Sequence, residues 1–318
     1  MSAPVLVTGG CGFIGSWTVR ELVRAGYGVR VLDNLSAGKL ENIQGVPGVD
    51  FINGDILDEA VIAAATKGVS GIIHLAAQVS VASSIREPIH SLEQNIAGFL
   101  RVLECARQHS VPKLVYASSA AVYGVAEHLP LSENSNLRPI SPYGLEKFTN
   151  ERYADLYASL HGLNAIGLRY FNVYGPRQDP ASEYAGVISK FTELALMGEG
   201  VTIYGDGLQE RDFIYVGDVA RANRLALEAD FVGVGNVATG NSLTLLDLVR
   251  VLSRLVGRQI QCSHELARCG DIRESRADAS LLYRRIGFQS QTTIEQGMTA
   301  LIEFLHRSGS GDSLEDFD

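Results

Sequence analysis

The chain has 318 residues, 46% hydrophobic and 20% charged, with a net charge of -9 at pH 7. That is enough apolar material for a large buried core in one or two domains, with the composition of an ordinary α/β protein. The acidic balance argues against a nucleic-acid partner, because phosphate contacts need clustered Lys and Arg.

The opening residues lack a charged segment followed by an apolar stretch, and no apolar run is long enough to span a bilayer, so neither a signal peptide nor a membrane partner is expected. Cys11, Cys105, Cys262 and Cys269 are scattered and match no zinc-finger spacing. No metal site or disulfide framework is expected, only reduced thiols in a cytoplasmic protein.

Val5-Leu6-Val7 reads as a first strand and leads through glycine-rich sequence into a helix over 16–25. Val29-Arg30-Val31-Leu32, Gly71-Ile72-Ile73-His74-Leu75 and Lys113-Leu114-Val115-Tyr116-Ala117 read as later strands. Continuous apolar strands alternating with helical patterns predict a doubly wound, Rossmann-type parallel sheet with its site at the carboxyl ends of the strands. After about Pro176 the pattern turns irregular. Residues 1–175 are therefore expected to form the dinucleotide-binding domain. Residues 176–307 form a smaller substrate-binding lobe that lends some segments back to the sheet, and 308–318 form a disordered acidic tail.

Within the first turn, Gly9, Gly12 and Gly15 form a GxxGxxG variant of the dinucleotide fingerprint. Glycine permits the tight turn and the close approach of pyrophosphate to backbone, and the following helix N-terminus offers free N–H groups. Asp33 ends the second strand, 18 residues past Gly15. A carboxylate there accepts hydrogen bonds from ribose hydroxyls and repels a 2′-phosphate, which favours NAD over NADP. Asp55, after a third strand, is a candidate for the adenine end.

Ser141-Pro142-Tyr143 reads as a helix start, with Ser141 as N-cap and Pro142 at the first helical position. Tyr143 and Lys147 are then i and i+4 on one face. An ammonium beside a phenol is expected to lower the tyrosine pKa toward working pH and make Tyr143 a proton acceptor. Ser119 follows the strand over 113–117 and is the natural third member.

With these residues the sequence resembles the extended short-chain dehydrogenases/reductases that act on nucleotide sugars, and within them the UDP-hexose 4-epimerases. The resemblance runs from about Val5 to about Phe304. Its landmarks are residues 8–15, 33–36, 74–78, 118–124, 143–147, 169–172, 205–207, 211–213 and 270–273. It implies that Ser119, Tyr143 and Lys147 are catalytic: Tyr143 takes the proton from the sugar O4 as the C4 hydride moves to NAD. Lys147 also holds the nicotinamide ribose, and a transient 4-keto sugar turns over before the hydride returns.

Around the cofactor the resemblance adds Phe13, Ile14, Asn34, Ser36, Gly38 and Ile56. Further along the chain it adds Leu75, Ala76, Ala77, Gln78, Asn95 and Tyr170. On the substrate it places Asn172, Arg211 and Arg273 at the diphosphate, and Thr202 and Tyr204 at the uridine. Ser80, Val187 and Ser275 complete that set. His74 is expected to be structural. A homodimer through helices over 95–109 and 148–161 is also implied, with Leu100, Leu103, Leu156 and Leu160 as candidate surface residues.

The residues after Ser119 separate the reactions of the family. Related 4,6-dehydratases carry an Asp-Glu pair there and decarboxylating relatives keep a Glu, whereas this chain has Ala120-Ala121, which cannot move a proton. UDP-glucuronate 4-epimerases usually show Thr where Asn172 stands and Arg where Asp179 stands. A neutral hexose on UDP is expected, with GDP- and dTDP-sugars as alternatives for the nucleotide and a UDP-glucuronate 4-epimerase or 4,6-dehydratase as the alternative reaction on the same scaffold. A non-catalytic NAD-binding regulator is the alternative of another class, and such proteins usually lose the Tyr or the Lys. The position a few residues after the Gly-Asp-Ile-Arg landmark tends to be bulky in enzymes confined to plain hexoses. Here it is Ser275, which implies room for an N-acetylhexosamine.

Overall fold

The computed structural model describes residues 3–179, 186–267 and 272–310. Cys269 and the Gly270-Asp271 part of a landmark lie outside the described residues. In chain order the first half holds β1 (Val5–Thr8), α1 (Phe13–Arg24), β2 (Val29–Asp33), β3 (Val49–Asn53), α2 (Glu59–Thr66) and β4 (Gly71–His74). Then come α3 (Val81–Arg86), α4 (Pro88–Leu92), a π-helical segment (Glu93–Ala97), α5 (Gly98–Gln108), β5 (Leu114–Ser119), α6 (Pro142–His161) and β6 (Ala165–Tyr170).

The second half holds β7 (Asn172–Tyr174), α7 (Val187–Met197), β8 (Val201–Tyr204), β9 (Glu210–Arg211), β10 (Phe213–Tyr215), α8 (Val216–Glu228) and β11 (Gly233–Val237). It ends with β12 (Leu243–Thr244), α9 (Leu245–Leu255), β13 (Cys262–Glu265), β14 (Glu274–Ser275), α10 (Ser280–Ile286) and α11 (Ile294–Ser310).

Seven parallel strands form the main sheet in the order β11-β6-β5-β4-β1-β2-β3. The order reverses between β1 and β4, which opens a crevice outside their carboxyl ends. Period-two alternation sends Val5 and Val7 to one face and Leu6 to the other. The first face packs with Val31, Val115 and Leu168 against Val19 and Leu22 of α1 and Val219 and Ala222 of α8. The second packs with Leu32, Ile72 and Leu114 against Ile62 of α2 and Phe99, Val102 and Leu103 of α5. A separate core joins Ile188 and Phe191 of α7, Val201 and Ile203 of β8, Leu248 and Leu252 of α9, and Met298 and Leu301 of α11.

The segments after residue 175 that return to the sheet are β11, paired in parallel with β6, and α8, packed against α1. Among the described residues, three further small sheets, β10-β7, β12-β9-β14 and β13-β8, carry the remaining strands. Helix α11 continues to Ser310, so the tail opens helically at 308–310; residues 311–318 lie outside the described residues.

Leu103 is fully buried in the core between α5 and the sheet, which removes it from any dimer surface, and Leu100 is half-buried beside it. Leu156 and Leu160 are exposed on α6. Among the described residues no helix is long and apolar enough to cross a membrane, and Cys11, Cys105 and Cys262 are free thiols.

Candidate active site

The glycine turn between β1 and α1 is set by close approach. Gly9 has φ of 72°, and a Cβ on Gly15 would lie 2.0 Å from the Gly9 carbonyl oxygen. Only hydrogen at these positions lets the helix start fold down on the turn and leave a cradle for a phosphate. Gly12 caps α1 in extended backbone without a side-chain cap, and Phe13 and Ile14, both half-buried, form its first turn.

Asp33, at the carboxyl end of β2, ties this turn to the next loop. One carboxylate oxygen accepts from the Cys11 N–H at 2.9 Å and the other from the Leu35 N–H at 2.8 Å. Each oxygen keeps a lone pair for another donor. Asn34 Nδ2 donates to Asp55 Oδ2 at 2.9 Å, while the Asn34 Oδ1 accepts from the Ser36 N–H. Gly38 packs against Cys11 so closely that a Cβ would sit 2.8 Å from the Cys11 carbonyl carbon. Ile56 is buried in the second-face core rather than facing the crevice.

At β4 the loop of Leu75, Ala76, Ala77 and Gln78 is half-buried beside the turn. Gln78 is clamped by Asn95: its N–H donates to Asn95 Oδ1 at 2.9 Å, and its carbonyl accepts from Asn95 Nδ2 at 2.9 Å. Asn95 is itself buried in the π-helical segment, so it acts on the crevice through Gln78. The Gln78 Oε1 is buried with no hydrogen-bond partner. A glycine cradle, an unspent buried acceptor and a carboxylate at the end of β2 together fit a dinucleotide. Ser80 is buried and caps α3, accepting from the Ser83 N–H at 2.9 Å. His74 is buried, with Nδ1 2.8 Å from Thr8 Oγ1 and its ring tilted on Phe99. Burial, helped by the nearby Lys147 cation, pushes its imidazole down to about 3, so it stays neutral.

Helix α6 carries the tyrosine and lysine. Ser141 caps it as expected, its Oγ accepting from the Gly144 N–H at 3.1 Å, with Pro142 in the first turn. A Cβ on Gly144 would lie 2.7 Å from the Ala121 carbonyl oxygen, so glycine lets the helix start approach the end of β5. That approach brings Tyr143 beside Ser119, whose hydroxyl favours the phenolate. Ser119 Oγ also accepts from the Ala121 N–H at 3.2 Å. Lys147 Nζ lies 5.7 Å from the Tyr143 ring centroid.

The expected lowering of the Tyr143 pKa is not what this arrangement gives. Burial pushes the phenol up to about 12, Ser119 offsets part of that, and Glu146 adds to it. Lys147 sits over the ring, and burial pulls its own ammonium down to about 8 against the upward influence of Glu146. Desolvation of both groups outweighs their proximity.

Tyr170, at the end of β6, donates its hydroxyl to Asn223 Oδ1 at 2.6 Å and so braces α8. Asn172 lies half-buried on β7 and donates from Nδ2 to the Asp212 carbonyl at 2.9 Å. Arg211 and Ser275 are register partners across β9 and β14, which bring Arg273 alongside. Arg211 Nη1 donates to the Glu210 carbonyl at 2.9 Å, Arg273 pairs with Asp206 at 3.0 Å, and Ser275 is buried. Thr202 and Tyr204 lie apart from that sheet on β8, with Thr202 Oγ1 3.1 Å from Ser263 Oγ. Val187 opens α7 and packs on the core around it.

Three groups escaped the sequence reading. Asp212 is buried between β9 and β10, and its carboxylate accepts from the N–H groups of Thr239, Gly240 and Ala277 and from the Thr239 hydroxyl. Glu151 forms a buried pair with Arg169, and Glu146 accepts from Ser91 and Asn95. All three carboxylates sit inside or beside motifs whose pattern is carried by other residues. A charged residue at an inward-facing position was the available signal.

The sheet, the cradle at its reversal point and the adjoining Ser-Tyr-Lys cluster define a dinucleotide-dependent Rossmann enzyme. The chain belongs to the NAD dependent epimerase/dehydratase family, which it matches over residues 5–238. It is 47% identical over 225 residues to a putative UDP-glucose 4-epimerase of Methanocaldococcus jannaschii, covering 70% of this chain and 73% of that one. The UDP-N-acetylglucosamine 4-epimerase of Methanobrevibacter ruminantium, solved with UDP-N-acetylmuramic acid, is similar at a TM-score of 0.93 and 39% identity, over 97% of this chain and 100% of that one. The UDP-glucose 4-epimerase of Thermotoga maritima, solved with UDP-glucose, is similar at a TM-score of 0.92 and 39% identity, over 96% and 99%.

Proposed function

We propose that the chain uses NAD to invert C4 of a UDP-hexose, interconverting UDP-N-acetylglucosamine and UDP-N-acetylgalactosamine as well as UDP-glucose and UDP-galactose. The observation that carries this reading is a half-buried tyrosine beside Ser119, with Lys147 over its ring and Ala120 and Ala121 directly after the serine. That set moves one proton at one oxygen. It lacks the second acid–base pair that elimination of water needs. Tyr143 takes the proton from O4, Ser119 holds that oxygen by a hydrogen bond, and the Lys147 ammonium favours the phenolate. When bound, NAD would supply an acceptor and donor for the C4 hydride and, in its oxidised form, a positive charge near the phenol.

Gly9, Gly12 and Gly15 would hold the pyrophosphate, Asp33 the adenosine ribose, and Gln78 the nicotinamide end. Asn172, Arg211 and Arg273 suit the substrate diphosphate, since guanidinium groups match phosphate oxygens in fork geometry. We take 1–175 as the NAD-binding domain and 176–307 as the substrate lobe that lends α8 and β11 to the sheet. A homodimer would use the exposed Leu156 and Leu160 of α6 with the half-buried Leu100 of α5. The free thiols suit a reducing cytoplasm.

The test is a panel of UDP-, dTDP- and GDP-sugars with chromatographic separation of products, run on wild type and Ser275→Tyr. Wild type is expected to convert both UDP-hexose pairs. Ser275→Tyr is expected to lose turnover of the acetylated pair and keep the plain pair, because added bulk excludes only the larger sugar. Equal effects on both pairs would remove the role of Ser275. No conversion of any UDP-hexose by wild type would remove the epimerase reading.

A further inference from the structure

We infer that Glu146 is a positioning residue of this reaction: its buried carboxylate joins the helix carrying Tyr143 and Lys147 to the Asn95–Gln78 clamp and sets the charge balance around that pair. The inference rests on the epimerase reading.

The geometry is specific. Glu146 Oε2 accepts from Ser91 Oγ at 2.9 Å and from Asn95 Nδ2 at 2.6 Å. Through Asn95 it reaches both backbone groups of Gln78, and Asn150 Nδ2 closes the set on the Asn95 carbonyl at 3.0 Å. One carboxylate thus locks α6, α4, the π-helical segment and the loop after β4 into a fixed relation. Among the described residues Glu146 makes no ion pair, and its two side-chain donors are neutral. The Lys147 ammonium, itself buried and in no ion pair, is the neighbouring cation.

The surroundings leave these two charges to act on each other. His74 on β4 is held neutral, and Tyr170 on β6 is neutral and bonded to Asn223. The Glu151–Arg169 pair between α6 and β6 cancels itself, and Glu104 on α5 is engaged by Arg107 at the outer surface. Toward α6, α3 and α4 present the hydroxyls of Ser84 and Ser91. The charge on Glu146 raises both Lys147 and Tyr143. Its removal should therefore lower both, and both limbs of the activity profile should move to lower pH together.

The experiment uses the full chain with its bound nucleotide. Glu146→Gln keeps the acceptor and removes the charge. Glu146→Leu, an apolar replacement of similar size, is the second variant, because replacing a buried charge with a packed apolar group is often tolerated. Two readouts are taken: the pH dependence of kcat, and the tyrosinate titration of Tyr143 by near-ultraviolet difference absorbance, isolated by subtracting matched Tyr143→Phe proteins. We expect both to move acid-ward by about one unit in Glu146→Gln, with Glu146→Asp returning them toward wild type. The Leu variant should also release nucleotide faster, because the Asn95 clamp loses its anchor. An unmoved titration in a folded variant would overturn the inference, as would failure of both variants to fold, which would make Glu146 a folding residue only. A titration that shifts as expected in a protein that converts no UDP-hexose would sink the epimerase reading and leave the electrostatic role standing.

Discussion

Tyr143→Phe is expected to lower kcat by about 10²–10⁴-fold, the usual contribution of a positioned acid–base group, while fold and nucleotide content persist. The change deletes one hydroxyl and keeps the ring, so packing between α6 and the end of β5 is preserved. What is lost is the oxygen that faces Ser119 and exchanges a proton with the sugar O4. Burial pushes the phenol up to about 12. Its ionisation at working pH therefore draws on positive charge, from Lys147 and from the bound cofactor. With the phenol pushed up to about 12 and the Lys147 ammonium down to about 8, the wild-type rate should climb with pH to about 8 as the phenolate fraction grows, and level off as Lys147 loses its proton. Ser119→Ala should be milder, since it removes an orienting hydrogen bond and leaves the base. Steady-state kinetics across pH with nucleotide quantified in each sample decides this. Retention of most of the wild-type activity by Tyr143→Phe would show that another group moves the proton.

Glu151→Ala is expected to destabilise the fold by about 3–5 kcal/mol, the cost of leaving a buried charge without its partner. The pair is closed to solvent, with side chains 1% and 0% exposed for Arg169 and Glu151. Arg169 Nε and Nη2 donate to the two carboxylate oxygens at 2.8 and 2.7 Å, and Ser118 Oγ donates to Oε1 at 2.6 Å. The guanidinium also stacks on Tyr123, 4.9 Å from its ring centroid, and donates to its hydroxyl. Alanine leaves that guanidinium with a cavity where its counter-charge stood. The pair fastens β5, β6 and α6 one residue from Ser119, so activity should fall along with stability. Denaturant midpoints for Glu151→Ala and for the Glu151→Leu, Arg169→Met double variant provide the check. The double variant should recover much of the loss, because apolar groups of similar size need no partner. A single-variant effect under about 1 kcal/mol would mean that water reaches Arg169 and solvates it.

The parts of this molecule legible in the sequence are those written by local chemistry. The strand at Val5, the glycine turn, the Ser141 cap and the i, i+4 spacing of Tyr143 and Lys147 each follow from residues within a few positions of one another. The unreadable parts are pairings across long separations. The return of β11 beside β6 and the alignment of Ser275 with Arg211 depend on tertiary packing that no local period encodes. The Asn95–Glu146 bond spans 51 positions. The Tyr143 pKa failed for a related reason. Proximity to lysine is visible in the spacing, but the desolvation that outweighs it comes from the surrounding fold. Leu103 likewise belongs to an amphipathic helix whose apolar face turns onto the sheet, and the sequence does not say which side of a helix meets its own core.

Inversion at C4 by departure and return of one hydride within a single site is tested most directly with UDP-glucose deuterated at C4, given to purified protein without added cofactor. The expected product is UDP-galactose with the deuterium still on C4 and none in the solvent. Label washed into water, or recovered at C6, would contradict the account.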